Sequence, residues 1–339
     1  MRYFAVALAA ALITSFFWYF RINAEVGSIA SGITPLRQSN DSYQFIDPLV
    51  GYNLPDNVKQ VDEYATLEND IQGLMSQENA SGSAPDVYGV YFRDLSSARW
   101  MGVNENTAFA PGSLMKVALM IAYYEEAETD PGILQQKLTY SSAVADQLNG
   151  IPFETPSELQ VGQSYTVEQL IESMIESSDN GAKNALLDNI GASSLGEVTT
   201  DLGLPYLDTT QNYDTYSITP KEYSVILREL YNATYLDRQY SEQALLIMSH
   251  AEYAQGLVAG VPSGTTVAQK FGEAVSGGAT GLAPLEITLS NCGIIYYSSH
   301  PYILCVMTQG KALNNLTNTI ASISHLVWVD VGKYATAAK

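Results

Sequence analysis

The hydrophobic period of this chain changes four times, and the order of those changes limits its fold more than any other feature. From Val87 to Asn106 the residues "VYGVYFRDLSSARWMGVNEN" alternate about Asp94-Leu95-Ser96-Ser97, the pattern of a β-hairpin. After Pro111-Gly112 the period becomes helical, with a helix opening at Ser113 and running to about Glu128. Thr166 and Gln169 form a capping box ahead of an apolar helix. "GAKNALLDNIG" continues as a second helix ending at Gly191. Thr219, Pro220 and Glu222 repeat the start signal, and Ser241 is expected to cap one more helix through His250. "TTVAQKFGEA", "LEITLSNCGIIYYS" and "YILCVMTQG" then read as three strands, and "NLTNTIASISHLVWVDV" closes the chain as a helix. Upstream, Asn57 to Gln77 carries Val61, Tyr64, Leu67, Ile71 and Leu74 at helical spacing. Strand pair, helices, three strands, helix predicts a mixed α/β fold. Its antiparallel sheet of about five strands is flanked by helices, and an all-helical lobe at about 131–250 is inserted between the strands.

The first residues obey a different rule. Tyr3 to Phe20 is an uncharged apolar run of 18 residues between Arg2 and Arg21. As a helix it would span about 27 Å, close to the ~30 Å of a bilayer core. Residues 1–21 therefore read as a single-pass membrane anchor, with a cleaved signal peptide as the alternative. Either reading puts the rest outside the cytoplasm: at the cell membrane for an anchor, secreted or periplasmic for a signal peptide. Residues 22–56, rich in Ser, Gly, Asn, Asp and Pro, read as an extracytoplasmic tether, leaving 57–339 as the folded domain.

Composition narrows the function classes. The formal charge is −20, which argues against a nucleic-acid partner because phosphates would be repelled. The three histidines, His250, His300 and His325, form no ligand-spaced cluster with the two cysteines, so no metal and no cofactor are expected. Cys292 and Cys305 flank a turn at about Tyr297 to His300. Symmetric pairing about it would oppose them within disulfide reach, leaving a bond or two buried thiols as the alternatives.

Three short motifs carry the chemistry: Ser113-Leu-Met-Lys116, Ser178-Asp179-Asn180 and Lys270-Phe271-Gly272. Spaced by three on one helix, the Ser113 hydroxyl and Lys116 amine share a face. A free serine is a poor nucleophile, and a lysine with a lowered pKa in a confined cationic site can take its proton. The helix start leaves the Ser113 N–H able to donate to a developing oxyanion. Each motif alone could be ordinary: an N-cap, a turn, a strand end. Together, in this order and context, the three resemble the serine β-lactamase and penicillin-binding protein superfamily, closest to its class A β-lactamase-like branch. The resemblance covers Val87 to the C-terminus. It implies Ser113 as nucleophile, Lys116 as base and Ser178 as proton relay to the leaving nitrogen. It implies substrate contacts at Asn180, Lys270, Phe271, Gly272 and Glu273, with Lys270 attracting a substrate carboxylate and the Glu273 N–H as second oxyanion donor.

The sequence departs from that pattern twice. Phe271 stands where the family has a hydroxyl residue, with Glu273 two positions on. The stretch Gly203 to Pro220 contains no Glu, where class A enzymes carry the base that activates water; its carboxylates are Asp208 and Asp214. The sequence thus predicts an extracytoplasmic serine hydrolase acting on β-lactam or related amide substrates through a Ser113 acyl-enzyme. A D,D-peptidase-like or penicillin-binding enzyme with slow deacylation, acting on cell-wall peptides, is the alternative within the class. A non-catalytic peptidoglycan-binding scaffold is the alternative outside it.

Overall fold

The computed structural model describes residues 34–38, 43–53, 64–141, 158–207, 215–276, 286–298 and 300–337. The strands along the chain are β1 Thr34–Arg37, β2 Leu49–Asn53, β3 Val87–Asp94, β4 Trp100–Val103, β5 Lys137–Thr139, β6 Ser164–Thr166, β7 Val267–Ser276, β8 Glu286–Ile295 and β9 Tyr302–Gly310. The α-helices are α1 Ala65–Ser81, α2 Lys116–Thr129, α3 Val167–Glu176, α4 Asn180–Ile190, α5 Ala192–Asp201, α6 Pro220–Asn232, α7 Arg238–Ser249 and α8 Leu313–Ala337. Five strands make one antiparallel sheet in the order β4-β3-β9-β8-β7. This is the mixed α/β fold that the changes of period predict.

Strand alternation divides the core into two layers. Phe92, Leu289 and Leu304 face α1 and α8, packing with Leu67, Ile71, Ile320 and Ile323. Tyr91, Cys292 and Cys305 face the helical lobe, packing with Met115, Leu119 and Tyr223. Burying one such side chain stabilises by about 1.5–3 kcal/mol, whereas a helix cap contributes about 1 kcal/mol. Packing therefore holds the layers together, and the caps set where each helix begins. Both expected capping boxes form: Thr166 with Gln169, and Thr219 with Glu222.

Some local expectations shift. The helix at Ser113 opens as a tighter 3₁₀ turn, Gly112–Met115, before α2. Asp237, not Ser241, caps α7 by accepting from Tyr240 N at 2.9 Å. Ser241 lies buried in the first turn and donates back to the Leu236 carbonyl at 3.2 Å. Helix α5 was not legible in "ASSLGEVTTD", and the lobe also holds the short β5–β6 ladder. Cys292 and Cys305 are opposed in register and joined by a disulfide.

The described part of the segment read as a tether is folded onto the domain. Strands β1 and β2 pair, and Phe45 and Ile46 enter the core. The Glu242 carboxylate accepts from the backbone N–H groups of Gln44, Phe45 and Ile46. Arg37 donates to Asn232 Oδ1 at 2.9 Å, to the Leu95 carbonyl at 2.8 Å and to the Asp47 carbonyl. Long-range polar contacts of this kind leave no mark in local composition. The apolar run Tyr3 to Phe20 lies outside the described residues; among those described, no helix is long and apolar enough to cross a membrane.

Candidate active site

The site assembles where the 3₁₀ turn meets the edge strand β7. In a 3₁₀ turn residues i and i+3 eclipse, so Ser113 and Lys116 are stacked along one line. Ser113 is half-buried and Lys116 is 3% exposed. Two contacts fix the turn from the helical lobe. Tyr223 donates its hydroxyl proton to the Leu114 carbonyl at 3.2 Å, and Phe109 pairs with Ile218 through two backbone hydrogen bonds.

Lys116 reaches into the loop between α3 and α4. Its Nζ donates to Ser178 Oγ at 3.1 Å and also to the Ser178 carbonyl. Ser178 has φ +62°, a left-handed conformation that costs a non-glycine residue about 1–3 kcal/mol and needs support from its surroundings. Asp179 supplies it: its carboxylate accepts from Ala182 N at 3.0 Å, Tyr140 Oη at 3.0 Å and Ser173 Oγ at 3.0 Å. Asn180 opens α4 beside it and is buried. The first two motifs are thus physically joined through Lys116 and Ser178.

Strand β7 closes the other side. A Cβ on Gly272 would strike the Pro111 carbonyl and come within 2.9 Å of Leu114 N. Gly112, at φ +52°, lies so close to Glu273 that a Cβ there would meet the Glu273 carbonyl and come 2.9 Å from its N. Only glycine permits this approach, which sets the Glu273 backbone beside the turn that carries Ser113. Lys270 is 1% exposed, and its Nζ lies 4.6 Å from the centroid of the Phe271 ring.

The described ends of the Gly203 to Pro220 stretch lie beside the same turn: Leu207 and Tyr216 line a cavity with Gly112 and Met115, and Ile218 pairs with Phe109. These ends are tied by Tyr216 donating to the Pro205 carbonyl at 3.0 Å. Glu222, just beyond the stretch, accepts from Thr219 N at 2.9 Å and is committed to the helix cap. Asp208 and Asp214 lie outside the described residues. A cavity of about 230 Å³ sits between Gly112, Met115, Leu207, Tyr216, Ala274 and Thr288. Among the described residues no group of histidine, cysteine and carboxylate side chains is placed to hold a metal ion.

Residues 66–331 match the model of the beta-lactamase enzyme family. The chain belongs to that family. A β-lactamase of Citrobacter koseri is 27% identical over 215 residues, covering 59% of this chain and 70% of the relative. Among solved structures, PBP-A superposes with a TM-score of 0.63 at 21% identity, covering 79% of this chain and 97% of PBP-A. A point variant of PBP-A, held as an acyl-enzyme complex with penicillin G, superposes equally well. A class A β-lactamase from Mycobacterium abscessus gives 0.61 at 23% identity, covering 80% and 98%. At these identities the solved structures speak for the fold.

This member of the β-lactamase family is a serine β-lactamase-like hydrolase. Its structure brings Ser113, Lys116, Ser178, Gly272 and Glu273 to one place. Sequence reasoning missed Tyr140, Ser173 and Tyr223, which hold the Ser178 loop and the Ser113 turn. No local signal marks them, since each acts through a contact made by folding. It also missed Tyr253, whose ring stacks on Phe271 with centroids 4.4 Å apart.

Proposed function

We propose that the chain is an acyl-transferring serine hydrolase acting outside the cytoplasm on β-lactam or related amide substrates, with slow release of the acyl group. The observation that carries this reading is the Lys116 Nζ to Ser178 Oγ hydrogen bond beside the Ser113 turn. It supplies a proton path in which atoms balance. The Ser113 oxygen bonds to the substrate carbonyl carbon, and its proton passes to Lys116. The C–N bond breaks, and a proton reaches the leaving nitrogen by way of Ser178. The N–H groups of Ser113 and Glu273 are the donors for the developing oxyanion.

Slow release follows from the missing second base. Positioned general-base catalysis is worth about 10²–10⁴-fold. The Gly203 to Pro220 stretch offers only Asp208 and Asp214 for that role. This favours a penicillin-binding enzyme that holds its acyl group over a fast β-lactamase, and PBP-A, whose variant is held as a penicillin acyl-enzyme, offers the same fold. The apolar run Tyr3 to Phe20 supports membrane attachment, and the Cys292–Cys305 disulfide supports an oxidising compartment.

Intact-protein mass spectrometry after mixing with benzylpenicillin tests the reading. The expected outcome is one adduct per chain that persists for minutes. Decay on a millisecond scale would show a deacylating base; its loss in Asp208→Asn or Asp214→Asn would name that base. No adduct at any concentration would favour the non-catalytic scaffold.

A further inference from the structure

The third motif sits in an environment that changes what Lys270 can do. Lys270 is 1% exposed and Phe271 4%. The lysine ammonium lies 4.6 Å from the Phe271 ring centroid, within cation–π distance. That ring stacks on Tyr253, with planes 24° apart. Tyr253 is held in turn by buried amides. Its carbonyl accepts from Gln269 Nε2 at 2.6 Å, and Gln269 Oε1 accepts from Asn291 Nδ2 at 2.9 Å. Asn291 Oδ1 accepts from Leu257 N at 2.9 Å. The half-buried Glu273 carboxyl is close enough to add to the burial that pushes the Tyr253 hydroxyl's pKa up. A substrate carboxylate aimed at Lys270 would have to part the ammonium from a ring braced on its far neighbours. It would also enter the field of Glu273, where like charges repel.

We propose that Phe271, braced by Tyr253, is a positioning residue that closes Lys270 to substrate carboxylates, so that this site prefers acyl donors whose end along β7 is uncharged. The proposal rests on Ser113 being the acylated residue. In it Lys270 contributes charge to the site without grasping the substrate, and the Phe271–Tyr253 pair sets specificity. Amide- or ester-terminated donors are the substrate class this selects. A free carboxylate at that end is tolerated only at a cost in the second-order acylation constant.

The test compares benzylpenicillin with its methyl ester, with adduct formation on Ser113 followed by stopped flow and mass spectrometry. The expected wild-type ratio of acylation constants, acid over ester, is one or less. Phe271→Thr opens the edge and should raise that ratio at least tenfold. Phe271→Tyr keeps the ring and should leave it unchanged. A wild-type acid preference of 100-fold or more would overturn the proposal, and that measurement needs no variant to fold. A ratio unmoved in a folded Phe271→Thr variant would overturn it too. If neither compound labels the wild type while circular dichroism shows it folded, the Ser113 reading falls and takes this one with it. If both label Ser113 with the acid strongly preferred, the Ser113 reading stands and only the role of Phe271 is lost.

Discussion

The two walls of the candidate site are built differently. The Ser113–Ser178 wall keeps the Ser, Lys and Ser of the family's first two motifs and is held by hydrogen bonds: Lys116 to Ser178, Tyr140 and Ser173 to Asp179, Tyr223 to Leu114. The β7 wall keeps the lysine and the glycine but fills the space between with an aromatic stack. A hydrogen-bonded wall places donors and acceptors to within tenths of an ångström, as proton transfer needs. A stacked wall excludes water and leaves proton positions undetermined. The contrast teaches that, on the proposed reading, bond making belongs to the first wall and recognition to the second.

The sharpest way to break the contrast is Ser113→Ala. It should abolish covalent labelling by penicillin and leave the thermal unfolding midpoint nearly unchanged. Labelling that survives would place the nucleophile elsewhere and dissolve the first wall. Next in size is Lys116→Met, which keeps the buried stem and removes the amine. Acylation should slow by about 10²–10⁴-fold, and a loss below tenfold would mean that another group takes the Ser113 proton. Tyr140→Phe removes one charge-assisted hydrogen bond from Asp179, worth about 1.5 kcal/mol. Because Asp179 braces the left-handed Ser178, part of that loss should appear as acylation slowed by about tenfold. A purely structural role would lower stability and leave the rate alone. The smallest effect on rate is expected for Arg37→Ala, in the β1–β2 strap, since its partners Asn232, Leu95 and Asp47 belong to neither wall. It strips donors from three acceptors and should cost about 2–3 kcal/mol of stability with acylation unchanged. A matching fall in rate would show that the strap reaches the site.

These contacts also explain what could be read from the sequence. Capping boxes at Thr166 and Thr219 were legible because their partners lie three residues apart. The opposition of Cys292 and Cys305 was legible because one short turn fixes the register. The Arg37–Asn232 hydrogen bond spans 195 residues, so the strap looked like a loose tether. Helix α5 is made of weak helix formers, Ser, Thr and Gly among them, and owes its place to burial of Leu195 and Val198 rather than to propensity. Phe271 was visible as a departure, but its partner was not. Tyr253 lies 18 positions earlier and meets it only when the segment after α7 folds over β7.

The tight meeting of Gly112 with Glu273, and of Gly272 with Pro111, bears on how such a site changes across generations. Any side chain at either glycine collides with backbone, and backbone cannot swing aside as a flexible side chain does. Neither position can be altered first and the other adjusted later, so stepwise change through this pair is closed in both directions. New substrate ranges must enter where one side chain can be exchanged without moving the strand or the turn. Phe271, whose ring stacks on Tyr253 and lies against the Lys270 ammonium, is such a position. The rigidity of the glycines thus channels inheritance: it fixes the meeting of turn and strand and leaves the side chain beside them open to revision.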